Sequence, residues 1–432
     1  MKEEKVRLDL KDIENFRYDM SRCIRCKGCK WVDHIYTPGV KFGTRCPSEK
    51  RYLFDSYAAY GRLKLALAVM DKKLDFSDKM LDAIYRCQLC GACDAGCKRN
   101  LDLEIQLPLE ALRIKAVESG KGPMPAHLET ARKIQESHNH FGAPHDHRGK
   151  WLPADVKPAR KAEIVYFVGC SASYAHPEIA EATVRILTAA KLDFSLLGGD
   201  EWCCGHPLYI TGQIETAKKN AEHVIEAIKK SGAKKVLVSC AEGYKTFKVD
   251  YPKMFNRSTA DMGFKVVHLT EYVDELVKKG TLKFTKKMDL RVTYHDACNL
   301  SRSSEPWIYW EGTRGHWGIT NPPMPRRRGT NGIYQQPRDV LKSIPGIELA
   351  EMVRLRENAW CCGAGGGVKE AFPDFALWTA TERLEEVKET GAEAIVAGCP
   401  WCKDNFNDAI KSEKINIKAY DFSELIWQAI SR

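Results

Sequence analysis

Ala394-Ile395-Val396-Ala397-Gly398-Cys399-Pro400-Trp401-Cys402 is a short apolar run ending on a Cys-x2-Cys pair, and the chain carries an earlier version of it. In that version Lys235-Val236-Leu237-Val238 also reads as a buried strand, closing on Ser239-Cys240. A double cysteine precedes each run, Cys203-Cys204 in the first and Cys361-Cys362 in the second. Further upstream, strands at Glu163–Val168 and Arg291–Tyr294 lead to Cys170 and Cys298. The spacing from double cysteine to the next cysteine is 36 residues (204 to 240) and 37 (362 to 399). The earlier spacings differ, 33 (170 to 203) against 63 (298 to 361). The excess lies in a Gly-, Pro- and Arg-rich stretch around Glu311–Asn331, including Arg326-Arg327-Arg328, and reads as an insertion in the second copy. Helices are expected at Pro177–Lys191, Ile214–Lys230 and Ala376–Thr390, with further strands at Phe194–Leu197, Val266–Leu269 and Ile415–Tyr420. Strand and helix therefore alternate, which predicts a duplicated α/β domain with parallel sheets.

The first 115 or so residues have a different pattern. Helical periodicity appears at Ser56–Met70, Ser77–Tyr85 and from Pro108 to about Gly120. Among these segments lie Cys23-x2-Cys26-x2-Cys29 and Cys87-x2-Cys90-x2-Cys93, each able to hold three corners of a cubane iron–sulfur cluster. In two-cluster ferredoxins the fourth ligand comes from the other run, which assigns Cys97 to the Cys23 set and Cys46 to the Cys87 set. Pro47 follows Cys46 as that pattern expects, whereas Lys98 follows Cys97. Two four-cysteine zinc sites are the alternative, although zinc usually takes pairs of C-x2-C and not triplets.

Composition narrows the compartment and the class. The 432 residues suffice for several cores, and 44% hydrophobic content is that of an ordinary soluble protein. Met1–Lys11 is charged throughout, and apolar stretches such as Leu65–Met70 are too short to span a bilayer. A cytoplasmic location is expected, with membrane association only through a partner protein. Reducing cytosol disfavours disulfides, so 17 closely spaced cysteines point to metal or redox chemistry. The net charge of +10 is spread thinly and argues for a docking face or a solvated surface, not for nucleic acid.

The pattern Cys, Trp-Cys-Cys-Gly, Cys-x2-Cys resembles the duplicated cysteine-rich (CCG) domain of the heterodisulfide reductase family. A two-cluster ferredoxin domain ahead of two such domains is similar to the D-subunit of the membrane-linked enzyme. Iron–sulfur subunits of lactate, glycolate and anaerobic glycerol-3-phosphate dehydrogenases share the plan, as do subunits of a sulfite-reductase-associated membrane complex and of class II benzoyl-CoA reductase. The resemblance implies a mainly helical two-cluster domain over 1–120, a linker over 121–160, a first CCG domain over 161–285 and a second over 286–432, with an insertion around 303–333. It also implies that Cys298, Cys361, Cys362, Cys399 and Cys402 bind a non-cubane 4Fe–4S cluster able to split a disulfide in two one-electron steps.

In the first copy Cys170, Cys203, Cys204 and Cys240 are present, but Gly243 stands where the fifth ligand would be. That site is open between a further cluster, completed by Glu242 or another group, a zinc ion, and no metal at all. His295, just before Cys298, is read either as a proton donor or as a hydrogen-bonded support for the strand end. Trp360 shields the cluster or simply fills the core. His138, His140, His145 and His147 suggest metal, but their surroundings resemble a packed interdomain linker. The insertion around Trp310–Arg328 is read as a cover or a docking loop. No flavin signature stands out, so a hydride-handling cofactor belongs on another subunit.

The expected function is an iron–sulfur electron-transfer subunit of a multi-subunit oxidoreductase, its two cubanes feeding the second-copy cluster and acting on a disulfide or thiol. The alternative is a pure relay between a flavin subunit and a quinone, cytochrome or ferredoxin. Expected partners are a flavoprotein, other iron–sulfur subunits and a membrane cytochrome or quinone-reactive subunit. A zinc-stabilised scaffold is the reading from a different class.

Overall fold

The computed structural model describes residues 4–6, 9–32, 39–97, 103–306, 310–325 and 327–430; Lys98 and Arg326, and part of Met1–Lys11, lie outside them. In chain order the described strands are β1 (Glu4–Val6), β2 (Ile164–Phe167), β3 (Phe194–Leu196), β4 (Lys235–Val238), β5 (Lys265–His268), β6 (Leu290–His295), β7 (Gly312–Arg314), β8 (Thr320–Asn321), β9 (Ile347–Leu349), β10 (Ala394–Ala397) and β11 (Lys418–Asp421). Two four-stranded parallel sheets run β3-β2-β4-β5 and β11-β10-β6-β9. Counted within each repeat, both have the order 2-1-3-4, so the duplication read from the cysteines is also a duplication of topology. Every residue of β2 and β10 is buried, as expected of parallel strands covered by helices on both faces.

Register places the cysteines. Phe167 pairs with Val238, and His295 pairs with Ala397. First and third strands of each repeat therefore end level, so Cys170 emerges beside Cys240 and Cys298 beside Cys399. In the order 2-1-3-4 the connections diverge between strands 1 and 3, the crevice where open α/β sheets bind ligands. The double cysteines enter the same crevice on the loops after the second strands.

The repeats pack about a pseudo-two-fold. Helix Pro177–Ala189 of the first lies on Phe422–Ile430 of the second, while Leu269–Lys278 of the first lies on Gln335–Ser343 of the second. Each pair joins the first helix of one repeat to the last helix of the other. One apolar core spans this contact, containing Ile179, Val184 and Leu276 from one side and Val340, Leu425 and Ile426 from the other.

The N-terminal half is helical, with Pro47–Tyr52, Ala59–Met70, Asp78–Tyr85, Ala92–Cys97 and Gln106–Glu118. Ser77 caps the third of these by accepting a hydrogen bond from the Met80 amide. Arg113 is buried and fixes this half to both repeats: its guanidinium donates to the carbonyls of Cys87 (2.6 Å), Ile210 (2.7 Å) and Gly366 (2.8 Å). Residues 121–160 contain the helix Pro125–Ser137, with proline at its first turn. Within the insertion, β7 and β8 form an antiparallel hairpin, and β7 also pairs with β1.

Candidate metal centre

None of the seventeen cysteines is in a disulfide, and sixteen are buried or half-buried. In the second repeat Cys298, Cys361, Cys362, Cys399 and Cys402 are all buried. The Gly363 amide donates to the Cys361 sulfur at 3.3 Å. A side chain at Gly363 would lie 2.3 Å from the Ala376 carbonyl, and its φ of +97° is one that L residues rarely adopt, so only glycine serves this turn. His295 stands with Cys362 and Cys402 in one buried group whose ligand atoms lie within 4.8 Å of one another. Arg383 donates to His295 Nδ1 at 3.4 Å. Burial holds the imidazole below its usual range, although its hydrogen bond with Cys362 opposes this. His295 therefore sits beside sulfur as a neutral donor, a support more than a proton carrier. Trp360 is fully buried and donates to the Thr379 carbonyl at 2.9 Å.

The first repeat reproduces much of this arrangement. The Gly205 amide donates to the Cys203 sulfur at 3.4 Å, as Gly363 does to Cys361. Buried Arg148 pairs with Glu201 at 2.7 Å and donates to the Cys170 sulfur at 3.7 Å. The Cys203 thiol and then Arg148 pull the Cys170 thiol down to about 6. Glu201 in turn accepts from the Val168 and Gly169 amides, fixing the end of β2. Cys170, Cys203, Cys204, Cys240 and Glu242 line a narrow cavity of about 30 Å³, together with His140 and Trp401. Burial, then Cys399 and Cys204, push the Glu242 carboxyl well up.

In the N-terminal half, Cys29 lies near Cys46, Cys23 and Cys97, and burial pushes its thiol up. Cys46 also neighbours Cys87, and Cys93 lies near Cys87, Cys90 and Cys29. The two runs therefore interleave. Proximity continues into the repeats: Cys361, and then Arg302, lie close enough to Cys90 to pull its thiol down to about 5. Gly366 permits this approach, since a side chain there would lie 2.5 Å from the Cys87 carbonyl. Across the other junction Cys240 lies beside Cys399. Four groups of thiols are thus neighbours in a single order: Cys23 set, Cys87 set, second repeat, first repeat.

The residues present fit iron–sulfur clusters. Unbridged thiols lie close to one another, amides point at sulfur, and a guanidinium lies beside the first cysteine of each repeat. Arg302 is the second-repeat counterpart of Arg148, set near Cys90, Cys298 and Cys361. Arg148 Nε and Arg302 Nη2 are both buried without a protein partner, as expected of donors facing cluster sulfide.

Sequence reading misses Arg148, Arg302, His127 and Glu370, which come to the site from distant segments with no spacing signal. A second small cavity, about 20 Å³, is lined by His127, His140, His206, Glu242, Glu370 and Trp401 among others. The linker histidines go separate ways: His138 stacks on Trp202, His145 bonds the Gly199 carbonyl, and His140 lies 3.4 Å from Glu370.

The cysteine-rich domain family matches residues 164–248 and 324–407, and the 4Fe-4S dicluster domain family matches residues 19–101. The chain is 35% identical over 421 residues to the D-subunit of the dihydromethanophenazine:CoB–CoM heterodisulfide reductase of Methanosarcina acetivorans, covering 95% of this chain and 94% of that one. It is 28% identical over 351 residues to the B-subunit of the CoM/CoB fumarate reductase of Methanothermobacter marburgensis, covering 81% of this chain and 62% of that one. With the EtfAB:quinone oxidoreductase of Syntrophomonas wolfei it is 25% identical over 476 residues, covering 99% and 61%.

Proposed function

This chain belongs to the heterodisulfide reductase D-subunit family of iron–sulfur oxidoreductases, and we propose that it reduces a disulfide held between its two repeats, using electrons taken in through its N-terminal half. It is an iron–sulfur electron-transfer subunit with redox partners. Among the described residues no helix is long and apolar enough to cross a membrane. In our reading the electrons come from a flavoprotein or a membrane cytochrome subunit.

One cubane would be held by Cys23, Cys26, Cys29 and Cys97, the other by Cys87, Cys90, Cys93 and Cys46. The neighbours of Cys29 include Cys23 and Cys97, and those of Cys46 include Cys87, as this assignment requires, while Cys46 also lies beside Cys29. Cys298, Cys361, Cys362, Cys399 and Cys402 would hold a non-cubane cluster, and the four thiols of the first repeat a further cluster. When bound, the clusters supply and accept electrons one at a time.

The chain's own residues do the rest. Gly363 and Gly205 direct amides at sulfur, His295 fixes Cys362, and Arg148 holds Cys170. Trp401 and His140 wall the cavity between the repeats and limit its water. Reduction of RSSR takes two electrons and two protons and yields two thiols. The observation that carries this reading is the single file of neighbouring thiols, Cys29 near Cys93, Cys90 near Cys361 and Cys240 near Cys399, which leads to that cavity.

The test is an anaerobic assay of protein loaded with iron and sulfide, in which reduced methyl viologen is oxidised on adding low-molecular-weight disulfides. Disulfide-dependent oxidation is expected, and its loss in Cys402→Ser. Fully loaded protein that oxidises the dye with none of them would favour a pure relay.

A further inference from the structure

We propose that the loop of the first cysteine run and the tip of the second-repeat insertion form one docking surface for an acidic electron-carrier protein. This rests on the reading that Cys23, Cys26, Cys29 and Cys97 hold a cluster. Cys26 alone among the cysteines is exposed, so the file of thiols reaches solvent there.

Tyr18, on the helix Arg17–Arg22 that leads into Cys23, joins the two parts of the surface. The Arg314 guanidinium sits 3.8 Å above the Tyr18 ring. The backbone at Gly318 packs against the same side chain, since a side chain there would lie 2.0 Å from the Tyr18 hydroxyl. Trp317 and Ile319 flank Gly318 and are 82% and 69% exposed, and Ile24, next to Cys23, is 69% exposed. Trp317 adopts a φ of +60°, a conformation unusual for an aromatic residue.

Charge indicates the occupant. From Arg17 to Trp31 there are five cations and one acid, the buried Asp19; Arg17 pairs with Glu14 and Asp71 and Lys30 with Glu49, so the charge of this rim comes from Arg22, Arg25 and Lys27. A patch of exposed apolar side chains with a basic rim around an exposed cluster ligand suits a carrier with the opposite charge. Complementary charge steers encounter, and the apolar contacts hold the pair while the electron crosses. Each encounter moves one electron: the carrier is oxidised by one unit, the cluster reduced by one, and no bond or proton changes. An anionic bilayer would match the charge and the tryptophan, but it supplies no electron to Cys26.

The test uses the loaded protein and a flavodoxin, an acidic one-electron carrier, as the probe. Variants are Arg22→Glu and Trp317→Asn, the latter because asparagine tolerates the left-handed backbone. Iron, sulfide and the dithionite-reduced cluster signals are measured first, and their absence would defeat the cluster reading, not the surface. With those intact, the second-order rate of reduction by flavodoxin hydroquinone is expected to fall roughly tenfold in Arg22→Glu at low ionic strength, with a shallower salt dependence. Calorimetry should show oxidised flavodoxin binding several-fold more weakly to both variants. Unchanged rates and affinities in both would overturn the proposal. So would variants that lose binding to anionic phospholipid vesicles while keeping the wild-type rate with flavodoxin.

Discussion

The Cys361 thiol lies beside the Cys90 sulfur, so the second cysteine run adjoins the second repeat. A contact between residues so far apart in sequence is held by the backbone around it. Arg302 donates to the Cys90 carbonyl at 2.6 Å and to the carbonyls of Glu357 and Ala359, fastening the two segments together.

Arg302→Gln should make both adjoining centres harder to reduce. The guanidinium is a fixed, buried cation near Cys90, Cys298 and Cys361, and it favours an added electron on either side. At a fixed potential the ratio of reduced to oxidised centres should fall on the order of tenfold or more, while Arg302→Lys keeps most of the effect. Redox titration followed by EPR reads this, and the signal assigned to the Cys23 set should not move.

Arg113→Met should loosen the joint between the N-terminal half and the repeats. Three carbonyls, those of Cys87, Ile210 and Gly366, lose their donor, at a cost of about 3–5 kcal/mol. Anaerobic thermal unfolding should show a clearly lower midpoint. An unchanged midpoint would mean that the apolar core alone holds the halves together.

The clasp around His176 should make stability depend on alkaline pH. Burial alone would lower this imidazole, but hydrogen bonds to Asp404 and Glu178 raise it to about 9 from 6.5. A group raised on folding stabilises fully below its unfolded value, and that share is lost as pH rises through the folded one. The contribution should be complete below pH 6.5 and gone above about 9. Partial solvent access leaves roughly 2 kcal/mol of it. Melting wild type and His176→Gln at about pH 6 and about pH 9.5 checks this: the gap between them should close at the higher pH.

Much of this architecture is legible because its signals are local. A buried strand such as Lys235–Val238 or Ala394–Ala397 is a run of apolar residues, and both have the bounds the sequence suggests. The double cysteines mark the repeat. Strand β9 (Ile347–Leu349) and helix Gln335–Ser343 give no such signal, since the helix is largely polar and the strand is short and half-exposed. The hairpin β7–β8 escapes because it is stabilised by pairing with β1, roughly three hundred residues away in the chain. Likewise Arg148, Arg302 and Glu370 reach the site through tertiary structure. Their types are those of surface residues, and only burial beside thiols distinguishes them. Glu242 draws notice in the sequence only by its nearness to Gly243, whereas the structure sets it facing Cys399 and Cys204 of both repeats.

The central claim is that a disulfide reacts between the repeats, at the end of a file of neighbouring thiols. Low-temperature EPR of the reduced, loaded protein, frozen after mixing with a disulfide, tests it most directly. The account predicts a signal that appears only with the disulfide and disappears in Cys402→Ser while both cubane signals persist. A disulfide-dependent signal undiminished in Cys402→Ser would contradict it.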